Sequence, residues 1–216
     1  MIFNLSETSH IANRYVAEMR DVRKQQDRLR FRHNLERLGL ALGFELSRKL
    51  NYTPTDVETP LGVATCALPS DKLVLATILR AGLPFHQGLL EAFEDAECAF
   101  VSAYRKTHKG GSFEIKLEYI SCPNLDGKVL VLADPMLATG ASLIIAAKAL
   151  LEYGTPEKIH FVTAIASTYG VEQVTRAFPD ASIWMGALDE ELTAKSYIVP
   201  GLGDAGDLAF GEKMQE

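Results

Sequence analysis

The sequence predicts an α/β protein: a mainly parallel sheet with helices on both faces, plus a β-hairpin arm and an N-terminal helical segment. Three observations predict it. Apolar runs rich in Val, Leu and Ile at residues 73–79, 128–133 and 158–167 read as strands buried on both faces. Between and after them, residues 84–93, 143–153 and 171–178 carry apolar side chains at helical spacing. The two patterns alternate from residue 73 onward, with one more strand expected at 182–187, and such alternation calls for right-handed crossovers between parallel strands.

At 216 residues the chain can bury one sizeable core, and it reads as a single domain over 1–216. A formal net charge of −6 argues against nucleic acid as a partner, since that would need a basic face. No apolar run is long enough to span a bilayer, and the first ten residues lack a signal peptide's basic start and apolar centre. A cytoplasmic chain with no membrane partner is therefore expected. Cys66, Cys98 and Cys122 are odd in number and far apart, which suits small core residues better than disulfides or zinc. The five histidines show no metal-binding spacing and are read as packing or surface residues.

Residues 9–50 combine Ile11, Tyr15, Met19, Val22, Leu29, Leu35, Leu38, Leu42 and Leu46 with many charges, which fits one or two amphipathic helices. Arg20, Arg23, Lys24, Arg28, Arg30, Arg32 and Arg37 are interleaved with Asp21, Asp27 and Glu36, so they read as a solvated face or a subunit contact. Residues 51–65, punctuated by Pro54, Pro60 and Gly62, read as loop and short strand. The run 73–79 ends at Arg80-Ala81-Gly82 before a helix. An arginine at a strand's carboxyl end can fork onto a diphosphate, and it can equally be a structural ion-pair partner. Residues 99–104 then read as a strand, and the basic, glycine-hinged turn at 105–112 leads into an alternating segment at 113–120. Together they form a hairpin arm over about 100–120.

The central stretch is Asp134-Pro135-Met136-Leu137-Ala138-Thr139-Gly140-Ala141-Ser142, entered from the buried strand. Proline cannot extend the ladder and biases Asp134 to an extended backbone, displaying its carboxylate at the edge where open α/β sheets bind ligands. The small side chains that follow leave backbone N–H groups uncovered at a helix start, a place that favours phosphate. An ordinary turn capped by Thr139 or Ser142 is the other reading of the last residues. Near the end, residues 197–207 contain a literal Gly-x-Gly-x-x-Gly. A dinucleotide fingerprint would have to open a long helix with an acid about 20 residues on, and the sequence stops too soon. A disordered tail is opposed by Ile198, Val199, Leu202 and Phe210, which need burial.

These strings resemble the type I phosphoribosyltransferases, and Pro135 and Ala138, where relatives acting on other bases carry acids, resemble the family's uracil branch. The likeness runs from the N-terminal helices to Gly211, through 78–83, the Tyr104-Arg105 pair, 134–142 and 197–207. It implies transfer of the phosphoribosyl group of phosphoribosyl diphosphate (PRPP) to uracil, giving UMP and diphosphate. Asp134, Arg80 and Arg105 are the implied catalytic residues. Asp134 would hold the ribose diol, with Pro135, Met136 and Leu137 beside it. Ala138, Thr139, Gly140, Ala141 and Ser142 would hold the terminal phosphate, and Arg80 and Arg105 the leaving diphosphate.

Ile198, Gly203, Asp204 and Ala205 would contact the base through a segment at about 197–211, Asp204 touching PRPP as well. Backbone groups suit the alternating donors and acceptors of a pyrimidine dione. The likeness also implies Mg2+ bound mainly through PRPP and a homo-oligomer using the N-terminal helical segment. Four features depart from the family pattern: Ala141 for Gly, Pro84-Phe85-His86, the basic 106–109 run and Leu208. A PRPP or pyrimidine sensor that binds without turnover is the competing expectation.

Overall fold

The computed structural model describes residues 1–107 and 113–213, with backbone alone for 103–107 and 113–116. In chain order, β1 (Ile2–Asn4) leads through a short 3-10 turn to α1 (Asn13–Arg20) and α2 (Arg28–Ser47). Next come β2 (Tyr52–Thr59), β3 (Gly62–Pro69), β4 (Leu73–Leu79), α3 (Gly82–Ala92), β5 (Glu97–Thr107) and β6 (Phe113–Ser121). The second half holds β7 (Val129–Ala133), β8 (Met136–Leu137), α4 (Ala141–Leu150), β9 (Lys158–Ser167), α5 (Thr168–Ala177) and β10 (Ser182–Asp189). Last come β11 (Glu191–Leu192), β12 (Ile198–Val199) and α6 (Ala205–Phe210).

The main sheet runs β1-β10-β9-β7-β4-β5-β6, and β8 adds to β9. Every pairing in it is parallel except β5 with β6. Alternation across the strands divides the core in two. Leu75, Val129, Val131, Ala133, Val162 and Trp184 face α1, α2, α3 and α6. Val74, Ala76, Leu130, Leu132, Phe161 and Met185 face α4 and α5. The expected mainly parallel sheet covered on both faces is the one found.

Residues 51–65 depart from expectation. They contribute to a full antiparallel hairpin of β2 and β3, in register from Tyr52 opposite Pro69 to Thr59 opposite Gly62. All sixteen of its strand residues are exposed. Thr53, Thr55, Val57 and Thr59 favour an extended chain, and a ribbon of two edge strands tolerates Pro54, which would break a central strand. The ribbon's root is fastened. The Asn51 backbone N–H and side-chain amide both donate to Asp71 at 2.8 Å, and the Tyr52 hydroxyl donates to the Ser47 carbonyl at 3.1 Å. Cys66, expected in the core, sits exposed on this ribbon.

Of the N-terminal basic residues, Arg23, Lys24 and Arg28 are exposed, as a solvated face requires, while Arg20, Arg30 and Arg32 hold specific partners. Arg30 donates twice to Glu18, at 2.9 and 3.0 Å, and Arg14 and Asn34 join it at 3.2 and 3.1 Å. Glu18 is buried, and these bonds, Arg30's first and then Asn34's, hold its carboxyl down to about pKa 2. The cluster bolts α1 to α2. Arg20 and Arg32 instead reach the C-terminal segment, so neither serves a solvated face.

Candidate active site

The strand β7 is buried along its whole length and delivers the chain to the sheet's carboxyl edge. The ladder does not end at once. Asp134 N–H donates to the Val162 carbonyl at 3.0 Å, and the Pro135 carbonyl accepts from Ala164 and Ile165 at 3.1 and 3.0 Å. Met136 and Leu137 then pair with β9 as β8, a pairing their place in the loop did not suggest. The Asp134 carboxylate accepts the Met136 N–H at 3.2 Å, which turns it toward the loop.

Gly140 stands at the start of α4 with φ +79°, and no side chain caps the helix. Gly140, and not Thr139 or Ser142, is thus the N-cap residue, and of those two hydroxyls only that of Thr139 meets a helix N–H. Thr139 Oγ1 accepts the Ala141 N–H at 3.4 Å. From beneath, the Ser167 hydroxyl donates to the Ala138 carbonyl at 2.5 Å and accepts the Gly170 N–H at 2.9 Å. A small cleft opens above, lined by Asp134 and Met136 through Leu143. Uncapped helix N–H groups over a braced loop make it a place for an anion.

The neighbouring strand supplies the second corner. In the pairing of β4 with β7, Thr77 lies opposite Ala133, and the buried Thr77 hydroxyl donates to the Ala133 carbonyl at 3.2 Å. Arg80 follows the end of β4 through a cis peptide after Leu79. Its guanidinium Nη2 donates to Asp207 Oδ1 and to the Gly211 carbonyl, both at 3.1 Å. Pro84, Phe85 and His86 point into the core: Phe85 is fully buried, and His86 Nε2 meets the Leu75 carbonyl at 3.1 Å. Burial holds the His86 pKa below its ordinary value.

The C-terminal segment is folded. Ile198 is buried, the Val199–Pro200 peptide is cis, and Gly201 and Gly203 have φ of +56° and +97°. Asp204 caps α6 by accepting the Asp207 N–H at 3.0 Å. Ala205 and Ala209 are buried against the helices of the first core half. Arg32 holds the far end by donating to the Ala209 carbonyl at 2.8 Å. A second cleft is lined by Gln25, Gln26, Arg28, Gly203, Asp204, Asp207, Leu208 and Glu212.

The two clefts share no lining residue. Arg80 joins them. A Cβ placed on Gly206 would lie 3.1 Å from Asp204 Oδ1 and 3.6 Å from Arg80 Nη2, so the aspartate and the guanidinium crowd one point. Arg105 lies on β5 opposite Ile115, its side chain outside what the structure describes, as are residues 108–112 of the arm's tip. Sequence reasoning missed Asp207, Ser167, Thr77 and Asp189 as supports. Asp189 and Ser167 end strands, which was the signal available for them.

A parallel sheet whose carboxyl edge carries an acid-proline corner, an uncapped helix start and a strand-end arginine defines a protein of the phosphoribosyltransferase class. A family model described as uracil phosphoribosyltransferase matches residues 6–212. A uracil phosphoribosyltransferase of Porphyromonas gingivalis is 52% identical over 214 residues, 99% of each chain. One from Thermococcus gammatolerans is 39% identical, covering 97% of this chain and 93% of its own. The solved structure of the AQ2163 protein from Aquifex aeolicus superposes with a TM-score of 0.86 at 32% identity, covering 98% of both chains. The chain belongs to the uracil phosphoribosyltransferase family.

Proposed function

We propose that this chain transfers the phosphoribosyl group of PRPP to uracil, forming UMP and diphosphate. The observation that carries the reading is the family match across nearly the whole chain, joined to the anion-ready corner at 134–142. A bond from the uracil nitrogen to the anomeric carbon forms as the bond to diphosphate breaks, and the nitrogen's proton is released to water. The transition state has oxocarbenium character. Asp134 holds the ribose hydroxyls, and the N–H groups from Ala138 to Ser142 hold the terminal phosphate. Arg80, with Arg105 from the arm, meets the diphosphate, and Asp207 keeps the Arg80 fork from swinging. Ile198 and Ala205, anchored in the core, set the height at which Gly203 and Asp204 present backbone to the base. Catalysis is then positioning together with leaving-group stabilisation.

Magnesium fits as an ion carried by PRPP. The carboxylates of Asp134 and Asp204 are hard oxygen donors of the kind that supplement substrate phosphates around it. When bound, it neutralises charge on the departing diphosphate. Among the described residues no three metal-binding side chains are grouped. No helix among them is long and apolar enough to cross a membrane. The net charge of −6 supports an enzyme without nucleic acid.

A homo-oligomer is supported by the exposed ribbon of β2 and β3, which carries Leu61 at 100% and Val63 at 69% exposure, and a second copy is its occupant. The test of the reaction is UMP formation from PRPP, Mg2+ and uracil by purified protein. Arg80→Ala should cut it about a hundredfold or more. Tight PRPP binding without UMP overturns the enzyme in favour of a sensor.

A further inference from the structure

The turn proposed to meet the base is held from outside by a charge pair no part of that mechanism uses. Asp189 ends β10 and is only 6% exposed. Its two oxygens take both terminal nitrogens of Arg20, each at 2.7 Å, in the forked geometry that lysine cannot copy. Asp189 Oδ2 also accepts the Gly201 N–H at 2.9 Å, and Arg20 Nη1 donates to the Gly201 carbonyl at 2.9 Å. Both polar groups of Gly201 are therefore engaged by one ion pair.

The residue so gripped is the hinge of the turn. Gly201 has φ +56°, and a Cβ there would lie 2.1 Å from the Ile198 carbonyl oxygen, so no larger residue fits. Two and three residues on, Gly203 and Asp204 line the second cleft. Asp189 pairs in register with Ser167, whose hydroxyl braces the phosphate loop. Adjacent strand ends thus support the two candidate subsites separately, β9 beneath the phosphate loop and β10 beneath the base turn.

We infer that Arg20 and Asp189 are positioning residues that set affinity for the base, through Gly201, without setting affinity for PRPP. The inference rests on the reaction proposed above. Arg20 comes from α1, so the N-terminal helix serves the site through this contact. A fork that fixes both sides of one peptide fixes the direction of the backbone groups following it, and misplacement on the ångström scale is costly in a site that works by positioning.

The test is steady-state kinetics of UMP formation by the full chain, varying uracil and PRPP separately. Arg20→Lys keeps the charge and loses the fork. Its KM for uracil should rise about tenfold while its KM for PRPP stays within about twofold. Asp189→Asn should behave likewise, and keeps the question open to experiment if the lysine variant does not fold. Asp126→Ala is the control, removing the acceptor of the Thr155 N–H ahead of β7, at the end of the sheet away from both clefts. It should lower the melting temperature and leave both KM values unchanged.

Deuterium exchange across residues 197–204 should quicken in the Arg20 and Asp189 variants and not in the control. An unchanged KM for uracil in a folded Arg20→Lys protein overturns the inference, as does an equal rise in both KM values or a matching rise in the Asp126 control. Wild-type protein that forms no UMP overturns the proposed reaction instead, and this inference with it.

Discussion

Gly140 shows how much one residue decides at this site. Its φ of +79° is a conformation that costs any other L-residue about 1–2 kcal/mol. A Cβ there would lie 3.2 Å from Val174 Cγ2 and 3.3 Å from the Gly170 carbonyl oxygen, tight on both sides. Gly140→Ala should therefore tilt the first turn of α4 and raise the KM for PRPP about tenfold, the equivalent of about 1.4 kcal/mol. An unchanged KM would separate the loop's conformation from phosphate binding. The corner at Asp134 was legible because its parts are contiguous: strand, proline, small residues, helix. The partners of Arg80 were not, since Asp207 and the Gly211 carbonyl lie more than 120 residues away and no local pattern announces them.

Among elements, β9 and β10 carry a titration that stability should report. Trp184 Nε1–H donates to His160 Nδ1 at 3.2 Å, which leaves the proton of the neutral ring on the buried Nε2. Burial first, and the nearby Lys158 charge second, push His160 down to about pKa 4. The unfolded chain takes up a proton near pH 6.5 and the folded one does not, so stability present above pH 6.5 is lost as pH falls toward 4. Urea unfolding of wild type should lose on the order of 2–3 kcal/mol more over that interval than His160→Gln does. Parallel slopes for the two proteins would refute it. The main strands were legible because burial on both faces writes a continuous apolar run. The ribbon of β2 and β3 has no buried face, so its residues alternate in nothing that a core would select.

At the scale of the molecule, the fold class was readable from alternation alone, while the roles of its appendages were not. Replacing residues 53–68 by a short Gly-Ser turn removes exposed strands whose residues contribute nothing to either half of the core. The truncated protein should keep its far-ultraviolet circular dichroism and sediment as a smaller species than wild type. Identical sedimentation of the two would remove the ribbon from the assembly.

The ribbon's isolation carries a thermodynamic corollary. A pair of strands standing alone in water is marginal, so most of its order must be lent by whatever it touches. Its amide protons should then trade with heavy water faster on dilution, while those of β7 keep their pace, making the ribbon a concentration gauge built into the polypeptide.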